Sequence, residues 1–220
     1  LNQIEPGSLF NSPFCKNLNG RHPQMHLSAN NALRLIEATA YDLDRIMELE
    51  HHGFAASHRE TRSAYAQRIA TFPQGSLMAW QGADCVGCVF SEIWRFTAQP
   101  EAAQFTLGHD IRERHDALRG TELYISSMTL APAVRGQGLG SGLLLGCMAH
   151  VAQAFPCVTS VVLLVNARWT AARRIYGGAG FVELVRLGHF FTTPGAAPED
   201  GIVMRRPMAA RRVGASGTSD

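Results

Sequence analysis

Lysine is nearly missing from this chain. Of its 20 basic side chains only Lys16 is a lysine, and the rest are arginine. A lysine Schiff base in the core of the domain is thereby excluded. So is a P-loop, whose G-K-[ST] needs a lysine directly after a glycine run. The arginine bias itself reads as the mark of a GC-rich genome. A surplus of one charge is also lacking. A net charge of +2 over 220 residues, with no basic run interleaved with aromatics, gives no case for a nucleic-acid partner. No apolar run reaches the ~18 residues that span a bilayer, so no membrane partner is expected. The first thirty residues are polar and rich in Asn and Pro, without the charged-then-apolar layout of a signal peptide. Nor do the cysteines pair off. Cys15, Cys85, Cys88, Cys147 and Cys157 make an odd five, which suggests no disulfide framework and points to a reducing, cytoplasmic compartment. Cys85-x-x-Cys88 opens an expected strand, where positions three apart face opposite sides. No second pair or histidine follows at finger spacing, so no metal is expected.

What the chain does have is enough apolar sequence, 46%, for one domain with a real core. Residues 1–30 read as a poorly ordered extension, 31–208 as a single domain, and 209–220, rich in Arg, Gly and Ser, as a disordered tail. Within the domain, strand patterns fall at 33–38, 76–80, 86–96, 122–130, 158–165, 182–187 and 202–206. Helical patterns fall at 40–52, 60–70, 138–154 and 169–179. Gly82-Ala83-Asp84 is a hairpin signal. Residues 97–120 form a connection longer than the fold needs, and long loops of this kind are often functional.

The most informative segment is Arg135-Gly136-Gln137-Gly138-Leu139-Gly140-Ser141, between an apolar strand and an apolar helix. A glycine turn there directs several backbone N–H groups at one point, and the helix N-terminus adds partial positive charge, an arrangement suited to a pyrophosphate. The dinucleotide pattern G-x-G-x-x-G fails, because its last position is Ser141 or Leu143. A glycine-rich turn that holds no ligand is the plain alternative.

What remains is R-x-x-G-x-G, and a second pattern, Ala172, Tyr176, Gly180 and Phe181, stands where A-x-x-x-Y-x-x-x-G-F would. Together these motifs, over residues 122–187, resemble the GCN5-related N-acetyltransferase (GNAT) superfamily. Phe72-Pro73-Gln74-Gly75-Ser76-Leu77 and Ser91-Glu92-Ile93-Trp94 extend the likeness toward its arylalkylamine N-acetyltransferase branch. The resemblance implies an α/β fold, a three-layer α/β/α sandwich with a mixed, splayed central sheet. It also implies an enzyme using acetyl-CoA as co-substrate, with no metal. Arg135, Gly136, Gln137, Gly138, Leu139, Gly140 and Ser141 would then hold the pyrophosphate. Met128, Thr129 and Leu130 would offer their strand edge to the pantetheine arm. Asn166 would supply the amide contact that many members take from an Asn where this chain has Trp169. Ser126 and Ser127 break the apolar alternation as a bulge would.

An amine acceptor of pKa about 10 is mostly protonated at neutral pH. The chemistry therefore needs a base, a polarised carbonyl and an acid for the departing thiolate. The resemblance makes Tyr176 the acid, beside the CoA sulfur. Glu122, thirteen residues ahead of Arg135, matches the catalytic Glu of the histone-acetyltransferase branch and is the first base candidate. Tyr124 and Ser126 occupy the positions of the histidine pair of the arylalkylamine branch, where they would relay a proton through water. His109 and His115, beside Asp110 and Asp116 in the long loop, are candidates for base or acceptor binding. Trp94, with Phe54, Phe96 and Phe105, is a candidate wall of an acceptor pocket. Direct transfer to the primary amine of a small molecule in a ternary complex is the leading function. Acetylation of a protein N-terminus or lysine, and a non-catalytic CoA-binding module, are left open, as is a homodimer.

Overall fold

The structure, a computed structural model, describes residues 33–208. The expectations for the extension and the tail lie outside the described residues. Seven strands form one mixed sheet: β1 (Leu33–Glu37), β2 (Ser76–Gln81), β3 (Asp84–Trp94), β4 (Glu122–Leu130), β5 (Ser160–Asn166), β6 (Val182–Phe191) and β7 (Glu199–Pro207). Their order across the sheet is β1-β2-β3-β4-β5-β7-β6, and only the β4–β5 pair is parallel. Five helices join them: α1 (Leu43–Gly53), α2 (Arg62–Thr71), the single turn α3 (Ile111–Arg114), α4 (Leu139–Ala154) and α5 (Thr170–Gly178). None of them is long and apolar enough to cross a membrane.

Alternation along the central strands builds the three layers. Leu77, Ala79 and Val89 pack with Leu143, Leu144 and Val151 of α4, while Met78, Cys88 and Phe90 pack on the other face with Ile46, Leu49, Tyr65 and Ile69 of α1 and α2. Adjacent strand residues point to opposite faces, so each strand feeds both cores. Thr61 starts α2 by accepting the Ala64 N–H on its hydroxyl at 3.2 Å, an N-cap.

Two irregularities matter. Ser126 is the extra residue of a bulge: Phe90 pairs with Ser127 and Ser91 with Ile125, leaving Ser126 without an opposite number. The expected bulge is therefore there. A second shift, between Ala79 and Trp80 of β2, overturns the reading that Cys85 and Cys88 face opposite sides. Both thiols are buried in one apolar cluster, free, with burial pushing each upward in pKa. High-pKa thiols in an apolar core are poor nucleophiles and poor metal ligands.

The final strands run longer than their apolar text. β6 reaches Phe191 through Gly188 and His189, the latter at φ 56°. Its pairing with β7 shifts in register between Leu187 and Phe191.

Candidate active site

The sheet opens at its middle. β4 pairs with β5 only from Glu122 to Ile125, against Ser160 to Leu163. Beyond Ile125, β4 stays with β3 while β5 stays with β7, so the two neighbours part. A cleft of about 980 Å³ fills the gap, lined by Ile125 to Leu130 on one side and Leu163 to Val165 on the other. An unpaired strand edge inside a cleft is a row of free backbone groups, to which an extended ligand can add itself.

At one end of the cleft lies the glycine turn. Gly136 and Gly138 both stand at φ 79°, in the left-handed region that a side chain resists, and Gly138 leads straight into the sixteen-residue α4. No side chain caps that helix, so its first N–H groups are free for an anion. Gly136, Gly138, Leu139, Gly140 and Ser141 line the cleft. A Cβ on Gly140 would lie 2.6 Å from Ile175 Cδ1, so this glycine lets α5 close against α4. The cradle fits the pyrophosphate of CoA. Arg135 is tied at its base, donating from Nε to the Leu130 carbonyl at 3.0 Å and from Nη2 to the His52 carbonyl at 2.9 Å.

Tyr176 of α5 lines the cleft, and burial pushes its phenol up to about 12. Such a group stays protonated over the working pH range, as a proton donor must. Tyr124 also lines the cleft, its ring stacked on Trp94 at 3.9 Å and its pKa raised by burial. Ser126 lines it as well, with Oγ donating to the Phe90 carbonyl at 3.2 Å. Met128, Thr129 and Leu130 are on the lining, as the strand reading expects.

The other end holds residues that the sequence reading missed. Glu50, in the last turn of α1, lines the cleft yet is only 2% exposed. Its Oε1 accepts the Glu60 N–H at 2.8 Å, and its Oε2 accepts the Tyr65 hydroxyl at 2.7 Å. Tyr65 in turn lies 3.1 Å from Ser127 Oγ on β4. Burial raises the Glu50 carboxyl above the usual range, although those two donors hold it back. Glu60 also lines the cleft. It meets Arg68 at 2.7 Å, and the same guanidinium lies 3.6 Å from Glu92. Three buried carboxylates thus gather around one arginine and the ring of His109, a cluster short of positive charge. Gly53 allows α1 this approach: a Cβ there would sit 2.4 Å from Thr129 Oγ1. Phe54, Trp169 and Phe191 complete the wall with His58. A signal for Glu50 was present, because it lies seven residues after Leu43 on the stripe of Leu43 and Ile46, a carboxylate on an apolar face.

Several expected site residues lie elsewhere. Glu122 is not on the cleft. It is 2% exposed and forms an ion pair with Arg205, accepting from its Nη2 at 3.0 Å and from the Ser160 hydroxyl at 2.8 Å. Its carboxylate holds the sheet together, and the base reading of Glu122 is corrected on that ground. Glu122→Gln is expected to cost about 2 kcal/mol of stability, measured by denaturant melts, and to leave the pH–rate profile where it was. His109 is also withdrawn from the cleft: Nε2 sits 2.9 Å from both Glu92 oxygens and Nδ1 3.1 Å from the Thr106 carbonyl. His115 Nδ1 accepts the Ile93 N–H at 3.1 Å, its ring packs 4.4 Å from Phe72, and burial lowers its pKa. Trp94 stands behind Tyr124, with Nε1 donating to Glu92 at 2.9 Å, and Phe96 lies outside under Arg205. Phe54 and Phe105 do line the cleft. Asn166 is turned away, donating to Glu199 at 2.6 Å and accepting the Arg168 N–H at 2.8 Å, so Trp169 takes its place in the wall. Gln137 folds back, donating to the Ala133 carbonyl at 3.1 Å.

Comparison with known proteins agrees with this geometry. The model of the acetyltransferase (GNAT) family matches residues 42–181, and the chain belongs to that family. It is an acyltransferase that takes acetyl-CoA as its co-substrate. No curated protein sequence matches it. Among solved structures, the GNAT-like decarboxylase GphF in complex with isobutyryl-CoA is 19% identical, with a TM-score of 0.64 over 79% of this chain and 98% of that one. The ribosomal-protein-S18-alanine N-acetyltransferase of Escherichia coli is 18% identical, with a TM-score of 0.57 over 83% and 99%. Naa50 of Arabidopsis thaliana, in complex with the bisubstrate analogue CoA-Ac-MVNAL, is 18% identical, with a TM-score of 0.58 over 79% and 97%. At such identities the likeness speaks for the fold alone.

Proposed function

We propose that the protein acetylates the primary amine of a small molecule of arylalkylamine type, directly from acetyl-CoA in a ternary complex. The observation that carries this reading is Glu50, a buried carboxylate of raised pKa at the aromatic end of the cleft whose other end is the glycine turn. A cluster short of positive charge attracts the acceptor as an ammonium ion. Glu50 takes one proton from it, and the freed amine attacks the thioester carbonyl. The C–S bond breaks, Tyr176 protonates the thiolate, and the proton left on the new amide nitrogen restores the phenol. Holding the two substrates in line supplies much of the rate. The wall of Phe54, Trp169 and Phe191 suits an apolar ring on the acceptor.

The test is CoA-thiol release from acetyl-CoA with 2-phenylethylamine, tryptamine, polyamines, amino acids and short peptides. Turnover of the aryl amines supports the reading. Turnover of peptides alone replaces it with protein acetylation, and binding of acetyl-CoA with no turnover at all replaces it with a CoA-binding module. Tyr176→Phe is expected to lower kcat by about 100-fold while acetyl-CoA binding, followed by calorimetry, changes little. An unchanged kcat would remove the acid role.

A further inference from the structure

Arg135 is bonded differently from what its place in the motif suggests. Its side chain donates to two backbone carbonyls, from Nε to Leu130 at the end of β4 at 3.0 Å and from Nη2 to His52 in the last turn of α1 at 2.9 Å. The last carbonyls of a helix have no partner within it. At α1 two arginines serve the end of the helix. Arg59 donates from Nη2 to the His51 carbonyl at 3.1 Å and from Nε to the Phe54 carbonyl at 2.8 Å. Both cations also answer the partial negative charge of a helix C-terminus. Arg59 belongs to the chain that leaves α1. Arg135 comes from the head of the glycine turn, so it ties that turn to the helix. The same end of α1 is seated from a second side, because a Cβ on Gly53 would stand 2.4 Å from Thr129 Oγ1 on β4. Glu50 lies one turn earlier, its carbonyl accepting the Phe54 N–H at 3.0 Å. Its position is therefore set by a segment clamped between Arg135 and Thr129.

Resting on the proposed function, we infer that Arg135 is a positioning residue for the acceptor half of the cleft: by holding the end of α1 it fixes Glu50 relative to the glycine turn. A phosphate ligand and a clamp make different demands. A phosphate ligand contributes to acetyl-CoA affinity, and its loss is hidden once acetyl-CoA saturates. A clamp sets the geometry between two substrates, where a misplacement of about 1 Å costs about 100-fold. Loss of a clamp therefore persists at saturating acetyl-CoA and falls on the amine.

The experiment follows turnover of 2-phenylethylamine at saturating acetyl-CoA in the wild type, Arg135→Met, Gly53→Ala and the double variant. Arg135→Met is expected to lower kcat/KM for the amine by about 10- to 100-fold. Gly53→Ala removes no charge but pushes the same helix end off Thr129, and a loss of the same kind is expected. The double variant is expected to lose little more than either single one, since two changes that act through one shift of the backbone do not add. The pH–rate profile separates a clamp from general damage. Glu50 faces Glu60 in the connection after α1, Tyr65 and Arg68 on α2, and Cys88 on β3. Burial is the largest influence on its carboxyl and raises it. A loosened helix end admits water, so the acidic limb is expected to move to lower pH in both single variants. Arg135→Lys keeps a donor and is expected to recover part of the rate and of the limb. A loss confined to acetyl-CoA affinity, measured by calorimetry, overturns the inference and makes Arg135 a phosphate ligand. A lower rate with the limb in place, or additive losses in the double variant, overturns it as well. If Glu50→Gln loses the limb while Arg135→Met leaves it unmoved, only the coupling falls. If Glu50→Gln keeps the limb, or the wild type does not turn over the amine, the proposed function falls and takes the coupling with it.

Discussion

Glu50→Gln is expected to lower kcat/KM by about 100-fold or more, the range that a positioned base contributes. At 100-fold this is about 2.7 kcal/mol of lost transition-state stabilisation. The reason lies in the position of the carboxylate more than in its chemical type. An exposed glutamate is almost fully ionised at neutral pH and draws a proton from an ammonium only weakly. Burial raises the pKa of Glu50, which brings the carboxylate closer in basicity to the amine it must deprotonate. Its raised pKa places the acidic limb of the pH–rate profile above the ordinary carboxylate range, and the Gln variant is expected to lose that limb. A limb that persists would assign the proton to another group on the cleft.

Tyr65→Phe separates this role from mere support. The Tyr65 hydroxyl donates to the ionised form of Glu50 at 2.7 Å and so keeps its pKa down. Removing the donor raises the pKa further. The acidic limb is then expected to move to higher pH, with the plateau rate reached later. General loosening of the site would lower the plateau and leave the limb in place.

The fold was legible where chemistry repeats along the chain. Glycines at the left-handed positions 136 and 138, the apolar periods of α1 and α4, and the serine pair at the bulge are local signals, and each predicted its structure. The glycine-turn half of the cleft was legible for the same reason, since its lining residues from Met128 to Ser141 fall in one continuous stretch. The acceptor half was not. Glu122 reads as a base in sequence because nothing near it betrays Arg205, which meets it from β7 across the sheet. In sequence His109 reads as a loop residue without a partner. Its partner Glu92 sits seventeen residues earlier on β3, and only folding brings the two to 2.9 Å. Conversely, Glu50 carries no motif. Its meaning comes from burial and from partners in Tyr65 and Glu60 that lie outside α1. Position within a motif was informative for groups that bind with their backbone. For groups that act through a shifted proton affinity, the long-range neighbours decide, and spacing alone, even the place of Glu50 on the apolar stripe of α1, does not reveal the role.

Arg68→Met is expected to cost about 3–5 kcal/mol of stability near neutral pH. Arg68 is 1% exposed, pairs with Glu60 at 2.7 Å, and stands 3.6 Å from Glu92. Its own pKa is raised: burial works against the charge, and the two carboxylates outweigh it. Methionine replaces the volume but strands two buried anions. The pH dependence should then steepen. In the wild type, burial alone would raise the Glu92 carboxyl, but His109 and Arg68 outweigh it and hold its pKa below the ordinary glutamate value of 4.5. A depressed folded pKa contributes stability above the unfolded value and loses it as the pH falls through the folded one, so this contribution fades below pH 4.5. In the variant Glu60 has lost its guanidinium and Glu92 keeps only His109. Glu50, already raised by burial, also loses the opposing pull of Arg68, so it binds its proton more tightly folded than unfolded and the folded state gains as the pH falls. Urea midpoints measured between about pH 5 and 7 should therefore rise for Arg68→Met on going to the lower pH. The gap to the wild type should narrow with it. A variant that loses stability equally at both ends of that range would mean that Arg68 acts through packing alone, and that the carboxylate cluster beside the cleft carries no surplus charge for an ammonium ion to answer.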